Sequence, residues 1–517
     1  MPMTALKNML KMPVAAALLA GTALAAQPAV AAGLTVARSV DADGLDIHKV
    51  STTQSMQVTN LLFDTLLTMD RSGGIHPGLA SGYTLSEDGK TYVFTIRDGL
   101  KCHDGSAFDA AAVKFNIDRA LDPATVSPNA SSWGPIDSVA VEGSTVTVTM
   151  KSPYGPFTAF LAGMQSGLMC PSSVAGAEFT PIGTGPFKLV SWTRNDRIEL
   201  AANPDYVNFS PLIENPGKPH LDTLTIMVVP EAVARMAALR SGEVDMVEPS
   251  LEEAADLKDD DAFKVYAADL SGQQVFAAFT WKIAPLDNPN VRKAIGMAMN
   301  RDAYATIGFE GLVDVANCPV APNLFATDEE KCASWGVSYD PEAAKALLAE
   351  AGYGPDKPLK VKLLVHKLQG WDQMHQIMQQ DLAAIGVEAE IETREVAAFF
   401  DYMGTVNGKA EGEPAVWTMG MSGADPDYLY FLWKQPGFTN MGLSDTMDAE
   451  LEAQRALSGD ARAAKVQEIQ QYLLENAYAV PLVSPGWGWL MASTAKVDGF
   501  KMGHMVTLLF NDVTVTE

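Results

Sequence analysis

The side chains able to do chemistry are plentiful but scattered. Seven histidines, His48, His76, His103, His220, His366, His375 and His504, lack metal-ligand spacing. His366 and His375 come nearest, flanking a loop and a helix start, so a metal chelate is a minor ligand class and no resident metal is expected. Cys318 and Cys332 bracket a loop containing Pro319, Pro322 and Asn323, and in an oxidising compartment they read as a disulfide. Closing a loop of that size is worth about 3 kcal/mol in the chain-entropy model. Cys102 and Cys170 are a second candidate pair, and their pairing stays open. Zinc finds no CxxC motif or histidine pair. The nucleophile elbow GxSxG, HExxH, the Walker loop and the dinucleotide glycine fingerprint are all absent. Gly183-Thr184-Gly185-Pro186 lacks the Gly and Lys that cradle phosphate. No catalytic residue and no cofactor is assigned, and an enzyme is not expected.

Around these groups the chain reads as exported and soluble. Lys7 and Lys11 precede the apolar run Val14 to Ala26 and the small residues Ala29-Val30-Ala31-Ala32, the pattern of a secretory signal peptide over residues 1–32. The run is too short for a permanent span, which takes about 20 residues. No cysteine near the cleavage region offers a lipid anchor. About 485 residues follow, more than one core accommodates, so two or three lobes are expected. The formal charge is −26, and −28 once the two leader lysines are removed. Such a chain avoids nucleic acid and anionic lipid, stays monomeric, and weakly favours cationic ligands.

The elements that must position any site follow from periodicity. Tyr92, Phe94 and Ile96 alternate with Thr91, Thr95 and Arg97 and end at Asp98-Gly99, a half-buried strand. Asp109 caps a helix carrying Val113, Ile117, Ala120 and Leu121; Val146, Val148 and Met150 form another strand. Residues of about 70–180 therefore mix antiparallel strands with a helix. Later, Asp340-Pro341 opens a helix closed by Gly352. Leu359, Val361, Leu363 and Val365 alternate with lysines; Met374 to Ile385 makes a helix stopped by Gly386; Val387, Ala389 and Ile391 alternate with glutamates. Strand, helix, strand implies a parallel unit whose ligand sits at the carboxyl ends of the strands. A helical pattern covers roughly 447–477, and 479–483 reads as a strand.

The order of motifs resembles the extracellular solute-binding protein family 5, the peptide, nickel and glutathione-type receptors of ABC importers. The resemblance rests on Gly78-Leu79-Ala80, Ser86-Glu87-Asp88-Gly89-Lys90-Thr91-Tyr92, Phe94 to Lys101, His103-Asp104-Gly105 and Phe108 to Arg119. It continues through Gly183-Thr184-Gly185-Pro186-Phe187, Asn203-Pro204-Asp205-Tyr206, Ser241 to Asp245, Asn288 to Ala294, Met299-Asn300-Arg301, Asp425-Pro426-Asp427 and Val480-Pro481-Leu482. It implies an α/β fold, a type II two-lobe clamp of cluster C with an inserted subdomain. The implied boundaries are lobe Ia over 33–70, 183–284 and 486–517, subdomain Ib over 71–182, and lobe II over 285–485. It also implies a freely diffusing periplasmic receptor in a Gram-negative envelope, capturing a peptide-like solute and presenting it to membrane permease subunits.

Relatives place an acidic residue just before the Asp-Pro-Asp turn to hold a peptide's α-ammonium. Here the segment is shortened, running Trp417-Thr418-Met419-Gly420-Met421-Ser422-Gly423-Ala424-Asp425, with Ala424 or nothing at the acidic position; Asp425 is the remaining candidate, its alternative role being to form the turn. From segments that line the cleft in relatives come Thr53, Gln273, Phe276, Trp371, Arg394, Trp417, Met421, Ser422 and Trp487 as ligand-binding candidates. A non-peptide solute, such as a metal chelate, glycoside or opine, is the alternative; a secreted hydrolase or a chaperone-like clamp is a remoter one.

Overall fold

The computed structural model describes residues 32–270, 272–366, 371–435, 441–484 and 489–516, the side chains of Val396 and Ala397 excepted. The signal-peptide reading up to Ala31 and the candidate Trp487 lie outside the described residues.

Two large sheets organise the described chain. A seven-stranded sheet has Gly33–Arg38 at its centre, parallel to both Thr223–Val228 and Met246–Val247, with Leu490–Thr494 antiparallel to the latter and Phe263–Ala267 at the edge. Its core gathers Val36, Leu62, Phe187, Leu224, Met246 and Phe510, which come from four distant stretches of sequence. The alternating segments near residue 90 form a separate four-stranded antiparallel sheet, covered by the helix Ala110–Leu121. Asp109 caps that helix, its side chain accepting from the Ala112 amide. The Cys102–Cys170 disulfide joins two buried residues of this subdomain's core.

A six-stranded sheet builds the second lobe. Leu359–His366 and Val387–Arg394 pair in parallel, residue for residue, across the helix Asp372–Ala384. Ala415–Ser422 is parallel to the first of these, and Gln273–Phe279 runs antiparallel between it and Ala479–Ser484. Both faces are covered. Val275, Leu363, Val365 and Val416 pack on one side, and Phe276, Leu364, Trp417 and Met419 on the other. This explains why Gln273–Phe279 is buried at every position. The expected helix start at Asp340-Pro341 is present, and Gly352 and Gly386 sit at φ values of 85° and 83°, where glycine ends a helix without a Cβ penalty.

The helical pattern over 447–477 resolves into two helices, Asp445–Arg455 and Gly459–Glu475. Ser458 and Gly459, whose φ is 53°, interrupt it. Apolar periodicity alone carries across such a break because the two helices bury the same side.

Two connections join the sheets. The chain leaves Phe263–Ala267 of the first sheet for Gln273–Phe279 of the second, and returns from Ala479–Ser484 to Leu490–Thr494. Both connections leave one sheet and enter the other at the edge where the parallel strands end. The carboxyl edges of the two sheets therefore face each other, which is the arrangement of a two-lobe clamp.

Candidate functional site

At the carboxyl edge of the six-stranded sheet, pairing brings together Gln273 opposite Ser422 and His366 opposite Arg394, with the Ser484 hydroxyl donating to the Gln273 carbonyl at 2.6 Å. Across the cleft the central strand of the other sheet ends at Arg38. Its buried guanidinium donates to the Gln57 side chain and the Gln54 carbonyl. Glu248, just past Met246–Val247, accepts from the Ser39 amide and hydroxyl. Thr53 opens the helix that follows, half-buried, with Thr52 as its cap.

The second-lobe wall is aromatic. The His366 ring lies 5.1 Å from Trp371 and 5.0 Å from Phe399; Trp371 lies 6.0 Å from His375. His375 Nε2 and the Thr418 hydroxyl are 2.7 Å apart. Among the described residues, His366 Nδ1, His375 Nδ1, Trp417 Nε1 and Gln274 Oε1 are buried without a hydrogen-bond partner. Burial holds both imidazoles neutral: His366 is lowered, and His375 is lowered to about 3, with His366 nearby adding to the effect. Among the described residues no group of three metal-ligating side chains exists.

The candidates separate into distinct places. Gln273, Met421 and Ser422 stand at the strand ends themselves. Phe276 and Trp417 pack edge to face at 6.0 Å, both buried, and back the wall rather than form its surface. Trp371 is likewise buried, at the start of its helix. Arg394 is half-buried over the Tyr402 ring at 3.8 Å and paired with Glu392. Cys318 and Cys332 are bridged, with an S–S distance of 2.04 Å.

Asp425 forms the turn, its Oδ1 accepting from the Asp427 amide at 2.8 Å, and is paired as well. Arg462 grips it with both terminal nitrogens, Nη1 reaching Oδ2 at 2.7 Å, and both side chains are at least nine-tenths buried. Its charge is compensated by the protein. Asp427 is equally buried, accepts from Gln454 Nε2 at 2.7 Å, and pairs with Arg455 at 3.1 Å. Burial pushes its carboxyl up to about 7, Arg455 pulling it down and Asp425 adding to the rise. Sequence reasoning missed Arg455 and Arg462, because their partners lie 28 and 37 residues away and no local motif announces a buried pair.

Comparison with known proteins adds to this geometry. Residues 74–442 match the model described as bacterial extracellular solute-binding proteins, family 5 Middle. The glutathione-binding protein GsiB of Escherichia coli K12 is 31% identical over 408 residues, covering 78% of this chain and 76% of its own. The periplasmic binding protein DppA of Helicobacter pylori, solved with the peptide STSA, is 26% identical with a TM-score of 0.69, covering 94% of this chain and 99% of its own. AgaA of A. tumefaciens R10, solved with agropinic acid, is 25% identical with a TM-score of 0.69 over the same shares.

Proposed function

The chain belongs to the bacterial extracellular solute-binding proteins of family 5, and from that premise we propose that it captures a small peptide-like solute whose α-ammonium is not held by Asp425. It is the periplasmic solute-binding component of an ABC importer, with the solute held between the lobes. The observation that carries the ligand reading is the buried Asp425–Arg462 pair, which removes the acid nearest the turn from ligand recognition. A carboxylate already gripped by a guanidinium gains little from a second cation, and freeing it would leave Arg462 buried and unpaired.

The strand-end groups Gln273, His366, Arg394 and Ser422, with Thr53 opposite, form the proposed contact set. They favour hydrogen bonds and carboxylate recognition over ammonium recognition. Neutral imidazoles and amides orient a ligand against an aromatic wall, the usual composition of a small-molecule site. Delivery is to the permease subunits of the importer, the receptor acting as a monomer without turning its solute over. The two connections between the sheets act as the hinge, and the ligand stabilises the closed state by touching both lobes in that state alone.

A second reading follows from the same pair: an opine-like solute, in which the amine is substituted and acidic groups dominate. The likeness to AgaA supports it. Calorimetry with di- and tripeptides, reduced glutathione, opines and nickel chelates separates the readings. Binding of reduced glutathione or another peptide that survives Asp425→Asn supports the first reading, and binding of an opine with peptides inert supports the second. Tight binding of ordinary dipeptides that disappears in Asp425→Asn without loss of stability overturns both.

A further inference from the structure

The inserted subdomain touches the second lobe at one point where the fit is close. The Gly155 amide donates to the Arg455 carbonyl at 2.6 Å, and the Arg455 Nη2 donates to the Tyr154 hydroxyl at 3.3 Å. The guanidinium also lies 4.9 Å from the Tyr154 ring and 4.0 Å from that of Tyr430. A Cβ on Gly155 would stand 2.3 Å from the Leu457 carbonyl oxygen and 2.9 Å from Arg462 Cδ. Only glycine lets the two surfaces meet, and this is a matter of space, since the Gly155 backbone does not occupy the positive-φ region.

Each side of this contact is rigidly mounted. Tyr154 is buried in the core of the four-stranded subdomain, and its carbonyl accepts from the Tyr92 hydroxyl at 3.0 Å. Arg455 ends one helix, Leu457 lies in the break before the next, and Arg455 is braced by Asp427. Gln454 spans the gap between Asp427 and Arg462, and Arg462 holds Asp425. Asp425 and Asp427 continue directly from Ala415–Ser422, whose end forms part of the cleft wall. Other bonds between the lobes, from Lys258 to the Glu310 carbonyl and from Asn323 to the Asp269 carbonyl, are exposed.

We propose that Tyr154 and Gly155 with Arg455 and Leu457 form a closure latch, linked through the Asp425-Pro426-Asp427 turn to the strand that meets the solute. This rests on the reading of the interlobe cleft as the ligand site. Arg455 is thus a positioning residue: it touches no solute, but it sets how much of the population is closed. The apparent dissociation constant scales inversely with that closed fraction.

The test uses the full chain with Gly155→Val, which blocks docking through the Leu457 carbonyl and Arg462 and removes neither the Arg455 nor the Arg462 side chain. Small-angle scattering without solute and hydrogen exchange of the Gly155 region are compared with wild type. A larger radius of gyration and faster exchange at unchanged melting temperature are expected. With reduced glutathione as the probe, affinity falls at least about fivefold, mostly through faster release. Arg455→Ala gives the same changes in scattering and exchange by a route that adds no bulk, at a lower melting temperature because Asp427 loses its partner, and covers the case of Gly155→Val misfolding. Two folded variants that keep wild-type scattering and exchange overturn the latch. If glutathione fails to bind wild type, the solute assignment alone suffers, and scattering still decides the latch.

Discussion

The two ends of the six-stranded sheet are built from the same strands yet treat polar groups in opposite ways. At the amino end Lys360 pairs with Glu388 at 2.9 Å and Lys362 with Glu390 at 2.8 Å, on a wet surface where the last strand is an edge. These charges guard the edge against strand addition. At the carboxyl end the same strand is buried from Leu363 to His366, and among the described residues His366 Nδ1, His375 Nδ1 and Gln274 Oε1 are buried there without a hydrogen-bond partner. Charged groups described there stand in compensated pairs, Arg394 with Glu392, Asp425 with Arg462 and Asp427 with Arg455. A surface that needs only solubility satisfies its own polar groups, whereas one that reads a solute leaves bonds to be made.

The sharpest way to break the comparison is to remove one partner of the buried pair. Arg462→Ala leaves Asp425 charged and enclosed, and a loss of about 3–5 kcal/mol is expected. Urea unfolding followed by tryptophan fluorescence measures it. Asp425→Asn is destabilising as well, since it leaves the Arg462 guanidinium buried without its counter-charge. If either change leaves stability intact and abolishes solute binding, Asp425 is a ligand group after all.

A smaller effect comes from the neutral wall. His375 is held down to about 3 by burial, against about 6.5 in an unfolded chain. The unfolded state therefore binds the extra proton first, and stability falls as pH drops below 6.5. Between pH 7 and pH 5 this one group accounts for about 2 kcal/mol. His375→Gln keeps a partner for Thr418 and should lack that part of the acid dependence. An unchanged pH profile of the melting temperature would show that the imidazole is already solvated.

Much of this architecture is legible in the sequence, and the reasons are physical. The parallel strand pair and its helix follow from apolar spacing at Leu359–Ile391, and Asp109 and Asp340 announce helix starts because capping is local. The exported receptor and its family follow from the leader pattern and the motif order. What escapes is whatever depends on distant partners. Arg462 looks like any helical arginine until the fold brings Asp425 against it. Gly155 looks like a turn glycine until the Leu457 carbonyl stands 2.3 Å from where its Cβ would be. The break at Leu457-Ser458-Gly459 escapes for the related reason that periodicity continues through it.

The least effect is expected at the amino end, and its smallness is itself the test. Lys362 faces Glu390 at 2.8 Å, Glu392 at 3.7 Å and Glu413 at 3.9 Å, two of these carboxylates being well exposed. Lys362→Ala leaves three like charges together, yet water screens them. The cost should be no more than about 1 kcal/mol. In 1 M salt, where the screening length is about 3 Å, most of it should vanish. Affinity for solute should stay at the wild-type value, because the lysine lies four residues before His366 and makes none of the proposed solute contacts. A loss comparable to that of Arg462→Ala, or one indifferent to salt, would mean that the ladder is stabilised by desolvated pairing like the turn, and the contrast between the two ends would fail.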